Sequence, residues 1–196
     1  MLDYFPEWAK KRLTLNIPIE AFVIISVGEL NENKNNKVII SALEKLNDKN
    51  IHYIVCGTGE NENALKGMAE NLGLSENVHF MGYRTDVKEL YKASDCFVMP
   101  SFREGLARSV MEAMSSGLPC VVSKIRGNTD LIRENKGGYT CEPTNIASFA
   151  HAIGLLCFDK SLRKSMSGFN RIKIKEFDTS IVENKIESIY AEVLGE

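Results

Sequence analysis

The 196-residue chain has no stretch approaching about 20 consecutive apolar residues, which excludes a membrane-spanning helix of ordinary length. It has five cysteines (Cys56, Cys96, Cys120, Cys141 and Cys157), none in a C-x-x-C pair, and its three histidines fall at no metal-ligand spacing. A zinc framework or a disulfide scaffold is therefore not indicated; single cysteines inside apolar runs read as small buried hydrophobes in a reducing compartment. Charge of either sign is not in excess: 24 Lys and Arg stand against 26 Asp and Glu, a net charge of −2. Such a balance supplies no general attraction to nucleic acid or to an anionic membrane, so binding has to be local. Internal repeats and low-complexity tracts are missing. The opening stretch, Met1 to Pro18, carries Asp3, Glu7, Lys10, Lys11 and Arg12 in place of the apolar centre of a signal peptide. The expectation is a cytoplasmic protein.

What is present is a regular alternation. Apolar runs of strand length at Phe22 to Gly28, Ile51 to Cys56, Val78 to Phe80, Cys96 to Met99, Pro119 to Ser123 and Tyr139 to Cys141 are separated by helical patterns. The helical candidates are Lys37 to Leu46, Glu62 to Leu72, Asp86 to Lys92, Arg108 to Ser115 and Asn128 to Arg133. Strands joined by crossover-length helices specify an α/β fold, a doubly wound parallel six-stranded sheet. After Pro143 the pattern becomes helical only, over Ile146 to Cys157, Ser161 to Phe169 and Ser180 to Leu194. The last of these places Ile181, Ile186, Ile189, Val193 and Leu194 at helical spacings.

The residues that suggest chemistry lie between Pro100 and Pro119. A buried-type strand, Cys96 to Met99, is stopped by Pro100 and Ser101, and a helix starting near Ala107 would aim its free N–H groups and positive dipole end above the strand's carboxyl end. A diphosphate fits that position. Glu104 and Glu112 flank the helix start. On one continuous helix they would be roughly 80° apart, so a shared site needs Glu104 in the loop and Glu112 on a helix face turned toward the cleft. A carboxylate there can accept from both hydroxyls of a ribose. Read alone, Glu112 is equally an ordinary solvated helix residue and Glu104 a helix-start acid favoured by the dipole.

The context of these acids, Pro100-Ser101-x-x-Glu104-Gly105 followed by Glu112-Ala113-Met114-x-x-Gly117-x-Pro119, resembles the donor-site signature of retaining glycosyltransferases of the GT-B fold, family 4. Other stretches agree with that resemblance in order and spacing: Ser26 to Leu30 with Lys34, Val55 to Glu60, Val78 to Tyr83, and Leu90 to Asp95. The resemblance covers one half of such an enzyme. It implies that Glu112 accepts from the ribose and that Glu104 stands beside the donor sugar. Lys34 and the helix end at Gly105, Leu106 and Ala107 would receive the diphosphate, with Lys34 contributing more. Gly28 and Gly57 would allow tight turns and close backbone approach, and Gly82, Tyr83 and Arg84 would frame the nucleobase. The loop Arg126-Gly127-Asn128, with Asp130, is a weaker candidate for the cleft's border.

One departure stands out. Relatives usually carry arginine after the first motif's glycine, where this chain has Glu29, which would repel a diphosphate unless it points away or pairs with Lys34, Arg103 or Arg108. Arg103 or Arg108 is expected to supply part of the missing charge.

The resemblance further implies a sugar transfer without metal or other cofactor, since no Asp-x-Asp pair is present. The donor would be a nucleoside diphosphate sugar, UDP-linked, and the acceptor a glycan or lipid-linked sugar held by a separate amino-terminal domain. Peripheral membrane association is expected of the full-length enzyme only, and nucleic acid is not expected as a partner. Residues 1–20 are expected to form a linker remnant, 21–178 the donor-binding domain, and 179–196 a terminal helix that packs on the other domain. Three rivals remain at this stage. A dinucleotide-binding oxidoreductase suits Gly57-x-Gly59, but Glu62 stands where the third glycine belongs. A sugar-nucleotide epimerase of the same fold, and a non-catalytic sugar-nucleotide-binding subunit, are the others.

Overall fold

The computed structural model describes residues 4–194, with residues 184–185 and 191–194 described by their backbone. Positions 1–3 and 195–196 of the two terminal segments, and the side chains of Val193 and Leu194, lie outside the described residues.

Six strands form one sheet: β1 (Phe22–Val27), β2 (Ile51–Cys56), β3 (Val78–Gly82), β4 (Cys96–Met99), β5 (Cys120–Ser123) and β6 (Gly138–Cys141). Their order is β3-β2-β1-β4-β5-β6 and every pairing is parallel. The helices are α1 (Glu7–Thr14), α2 (Lys37–Leu46), α3 (Glu62–Asn71), α4 (Val87–Lys92), α5 (Arg108–Ser116), α6 (Arg126–Thr129), α7 (Ile146–Phe158), α8 (Lys160–Lys173) and α9 (Thr179–Leu194), with short 3-10 turns at Glu32–Lys34 and Ile174–Phe177.

The period-2 pleat sorts each strand's apolar residues into two layers. On one face Phe22, Ile24, Tyr53, Val55, Cys96 and Val98 meet the apolar sides of α2 and α7. On the other, Val23, Ile25, Ile54, Phe97 and Met99 meet Leu90 of α4 and Val110 and Met114 of α5. A sheet covered on both sides explains strands that are apolar throughout. Each fully buried Ile, Leu or Phe contributes about 1.5–3 kcal/mol.

Two elements depart from expectation. The helix expected over 128–133 runs instead over Arg126–Thr129, because Asn128 turns its side chain inward to the carbonyl and hydroxyl of Ser123 and fixes an earlier start. The helix α1 was not expected at all. Its only buried residues are Ala9 and Arg12, and Arg12 fastens it to the base of the sheet. The guanidinium donates to the carbonyls of Ala93, Ile19 and Ala21 at 2.7–2.8 Å and to the Asp95 carboxylate at 2.8 Å. That same carboxylate oxygen accepts the Val23 N–H.

The order of connection reverses between β1 and β4. The loops that leave those two strands therefore diverge to opposite sides, and the crevice they leave at the strands' carboxyl ends is where open α/β sheets bind ligands.

Candidate functional site

From β1 the chain passes Gly28 and Glu29 into the 3-10 turn Glu32–Lys34. The Asn31 side chain closes that turn by accepting the Lys34 N–H at 3.1 Å. Asn35 follows in a left-handed conformation (φ 53°), and its buried amide donates to the carbonyls of Pro100 and Pro143. Asn33 grips the loop that leaves β4. Its side chain accepts from the Arg103 N–H at 3.1 Å and donates to the Arg103 carbonyl at 2.9 Å, while its own carbonyl accepts from Phe102 N–H at 2.8 Å. The asparagine turn and the loop 100–107 are thus joined as two strands would be.

This clamp brings Lys34 to Glu104. The Lys34 ammonium donates to the Glu104 carboxylate at 2.6 Å, with both side chains mostly buried, at 22% and 13% exposure. Glu104 lies in the loop, as a shared site requires. Lys34 extends over Gly28, where an added Cβ would come within 3.3 Å of Cε.

The loop is supported from below by residues that sequence reasoning ranked low or missed. A Cβ on Gly127 would lie 1.7 Å from the Gly105 carbonyl oxygen and 2.7 Å from that of Glu104, so only glycine lets α6 approach so closely. The buried Ser123 hydroxyl donates to the Ser101 carbonyl at 2.6 Å and itself accepts from Asn128. A polar side chain in a loop is a weak signal in one sequence, which is why Asn33 and Asn35 escaped notice and Asn128 was only a weak candidate.

Ala107 precedes α5 in an extended conformation and provides no side-chain cap. The N–H groups of Gly105, Leu106, Ala107, Arg108 and Ser109 have no acceptor among the described residues. They constitute an open set of donors beside Lys34, on the positive end of the helix dipole.

Glu112 is placed on α5, one turn beyond Arg108. It takes a hydrogen bond from Arg108 Nε at 3.2 Å and one from the Tyr91 hydroxyl at 3.4 Å. Burial first, and then the Glu112 charge, push the Tyr91 hydroxyl well above its ordinary pKa, so it stays a donor. Lys34 and Glu104 meet directly, whereas Glu112 shares no hydrogen bond with either among the described residues.

A cavity of about 420 Å³ opens beside the Lys34 turn, between the ends of β1, β2 and β3. Gly28, Glu29, Gly57, Thr58, Tyr83 and Arg84 are among the residues lining it. Gly57 (φ 136°) is pressed against β1's exit, since a Cβ there would sit 1.9 Å from the Gly28 carbonyl oxygen. Gly82 accepts the Gly57 N–H at 2.8 Å. Tyr83 is 81% exposed and offers its ring at the rim. The Arg84 side chain is committed elsewhere: it forms a bidentate pair with Asp86 at 2.6–2.7 Å, which Lys11 also joins. Those cations hold the Asp86 carboxyl well below the usual carboxylate range. Two further hollows, of about 400 and 470 Å³, surround Trp8 and Asp95 at the opposite, amino end of the strands.

Of the two arrangements open to Glu29, pointing away or pairing with Lys34, Arg103 or Arg108, the structure has no such pair. Glu29 is exposed and accepts from the Asn31 side chain at 2.9 Å, because Glu104 occupies Lys34 and Glu112 occupies Arg108. Four of the five cysteines are buried, all five are free thiols, and burial pushes the Cys56 thiol up to about 12. Among the described residues no three His, Cys, Asp or Glu side chains are grouped to hold a metal ion, and no helix is long and apolar enough to cross a membrane.

A parallel sheet of this order with an open helix end, a lysine and a glutamate at its switch point accords with the family whose model matches residues 9–172, described as glycosyl transferases group 1. The chain belongs to the glycosyl transferases group 1 family. It is 33% identical over 192 aligned positions to the Escherichia coli UDP-Gal:alpha-D-GlcNAc-diphosphoundecaprenol alpha-1,3-galactosyltransferase, a match covering 89% of this chain and 50% of that protein. It is 30% identical to the putative glycosyltransferase EpsD of Bacillus subtilis, over 87% of this chain and 45% of the relative. Among solved structures, Anabaena HepE in complex with UDP superposes with a TM-score of 0.88 at 23% identity, over 95% of this chain and 52% of that one, which establishes the shared fold. The chain spans about half the length of the curated relatives it matches. Membership of the group 1 family removes the oxidoreductase reading left open by Gly57-x-Gly59.

Proposed function

We propose that this chain is the donor-binding half of a retaining GT-B glycosyltransferase of family 4, which takes a sugar from a UDP-sugar and delivers it to a glycan or lipid-linked acceptor. The observation that carries this reading is the Lys34–Glu104 pair set beside five open amides of the loop and α5 start, at the crevice between β1 and β4. The names of two related proteins support the uridine nucleotide: one includes UDP-Gal and a diphosphoundecaprenol-linked acceptor, and the other structure contains UDP.

In this reading the nucleobase enters the cavity beside Tyr83, with backbone groups of Gly82 and Arg84 as its frame, and Glu112 accepts from the ribose hydroxyls. The diphosphate takes N–H donors from residues 105–109 and the charge of Lys34. Breaking the anomeric C–O bond moves negative charge onto the departing diphosphate, and a charged donor already aimed there, as Lys34 would be, lowers the barrier by about 3 kcal/mol. The dipole of an exposed helix end adds about 0.3–1 kcal/mol, so Lys34 carries the larger share. Glu104 accepts from sugar hydroxyls and steadies the positive ring, and transfer on one face of the sugar, with the leaving phosphate taking the acceptor's proton, requires no enzyme nucleophile. Lys34 and the amides do the work a divalent ion does elsewhere, so the transfer is metal-independent. A separate domain holds the acceptor, and the reaction takes place in the cytoplasm.

Titration calorimetry of this chain with UDP, GDP, ADP and their sugars tests the reading. Selective binding of uridine nucleotides, weakened but still measurable in Lys34→Ala and unaffected by chelator, is the expected result. Equal indifference to all three nucleotides would refute it.

A further inference from the structure

We infer that the Lys34–Glu104 ion pair makes this pocket discriminate a nucleoside diphosphate sugar from the bare nucleoside diphosphate. The inference rests on the donor-site reading and adds to it a reason why product would be held more weakly than donor.

The two charged groups are held in place before any ligand arrives. The Lys34 backbone is fixed by Asn31, the Glu104 loop is fixed by Asn33 through Phe102 and Arg103, and Gly127 lies against the carbonyl of Glu104. The ammonium and the carboxylate meet at 2.6 Å and both are mostly removed from water. A diphosphate entering beside the open amides therefore finds Lys34 already engaged. It gains that cation only by drawing it from Glu104, and it leaves a largely buried carboxylate short of a donor and close to new negative charge. Bare UDP brings nothing to that carboxylate. A sugar on the outer phosphate brings hydroxyl groups, which donate to the freed Glu104 and restore its hydrogen bonding. The sugar's contribution to binding is thus coupled to the lysine it displaces, even though the lysine touches the phosphates alone.

The test is calorimetry of UDP, UDP-galactose and UDP-glucose with the wild-type chain, Glu104→Gln, Lys34→Met and the double variant, each first shown to melt cooperatively. Glutamine keeps the shape of glutamate and frees Lys34. Glu104→Gln is expected to bind UDP about three- to tenfold more tightly than the wild type, while its preference for a UDP-sugar over UDP collapses. In the Lys34→Met background the same change is expected to leave UDP affinity within about twofold. An equal gain in both backgrounds would mean simple repulsion by Glu104 and would overturn the inference, as would no gain in the wild-type background. A wild-type chain that binds neither UDP nor either UDP-sugar would overturn the donor-site reading itself, and the inference with it.

Discussion

Gly127 lies outside the conventional outline of the site, yet substituting it should damage the site more than substituting Gly105 within it. The backbone of Gly127 does not adopt a positive φ that L-residues avoid, so the obstacle to alanine is space alone. The added Cβ would stand 1.7 Å from the Gly105 carbonyl oxygen. An unstrained carbon–oxygen contact needs about 3.4 Å, so α6 and the loop have to separate by about 1.7 Å. Overpacking of this kind costs about 1–3 kcal/mol. At this chain length, that lowers Tm by about 2–12 °C. The same movement displaces the Gly105 peptide and the open amides that follow it. Misplacement of a binding group by about 1 Å is felt strongly, so UDP affinity is expected to fall at least about tenfold. The comparison is Gly105→Ala, whose Cβ would meet nothing within 4 Å and which should change stability by less than about 0.5 kcal/mol. Differential scanning calorimetry and UDP titration on both variants check the argument. A Gly127→Ala chain with the wild-type Tm and UDP affinity would refute the claim that α6 supports the loop.

Glu112→Ala is expected to weaken UDP binding by about 1.5–3 kcal/mol, the worth of hydrogen bonds to a charged group; an unchanged affinity by calorimetry would contradict the ribose role. Arg12→Ala removes four donors and strands Asp95 near the base of the sheet, with an expected loss of about 3 kcal/mol in urea unfolding, and an unaltered midpoint would show that α1 is dispensable. Stability should also respond to acid through the stacked pair His52 and His79, whose ring nitrogens approach to 2.9 Å. Burial, and next the neighbouring His52, push the His79 imidazole down to about 4 from its ordinary 6.5. The unfolded chain therefore binds a proton first, and the stability held by the neutral ring above pH 6.5 is lost as pH falls from 6.5 towards about 4. Allowing for the ring's partial exposure, the loss is on the order of 1–2 kcal/mol. Urea unfolding of His79→Gln at pH 7 and pH 4.5 should show a smaller difference than the wild type, and identical differences would dismiss the pair as the cause.

The sheet was legible because its strands announce themselves locally. Ile51–Cys56, apolar but for His52, and Cys96–Met99, apolar throughout, read as strands covered on both faces, and they fold at the expected bounds. The helix Lys37–Leu46 was equally plain from its apolar stripe. By contrast, α1 has almost no stripe; it is held by one guanidinium bonding to carbonyls up to 81 residues away, a contact that no local pattern encodes. The site was legible in the same uneven way. Lys34 and Glu104, 70 positions apart, do meet, and the close approaches at Gly57 occur where its glycine implied them. Whether Glu29 would point away or pair with a cation was left open, because which cation a surface carboxylate finds depends on what each cation has already bound. Asn33 and Asn35 were passed over, and Gly127 was ranked low, for a related reason: their contribution is to hold other backbone segments, and it exists only once those segments are adjacent.

The exchange of hydrogen bonds between Asn33 and the stretch Phe102–Arg103 has a mechanical consequence. A turn from one side of the switch point and a loop from the other are laced together by three hydrogen bonds, so the two backbone segments that carry the ammonium and the carboxylate are tied to each other. The spacing of these opposite charges is then a property of the empty scaffold. Any sugar nucleotide that enters meets a template of charge whose shape was settled during folding.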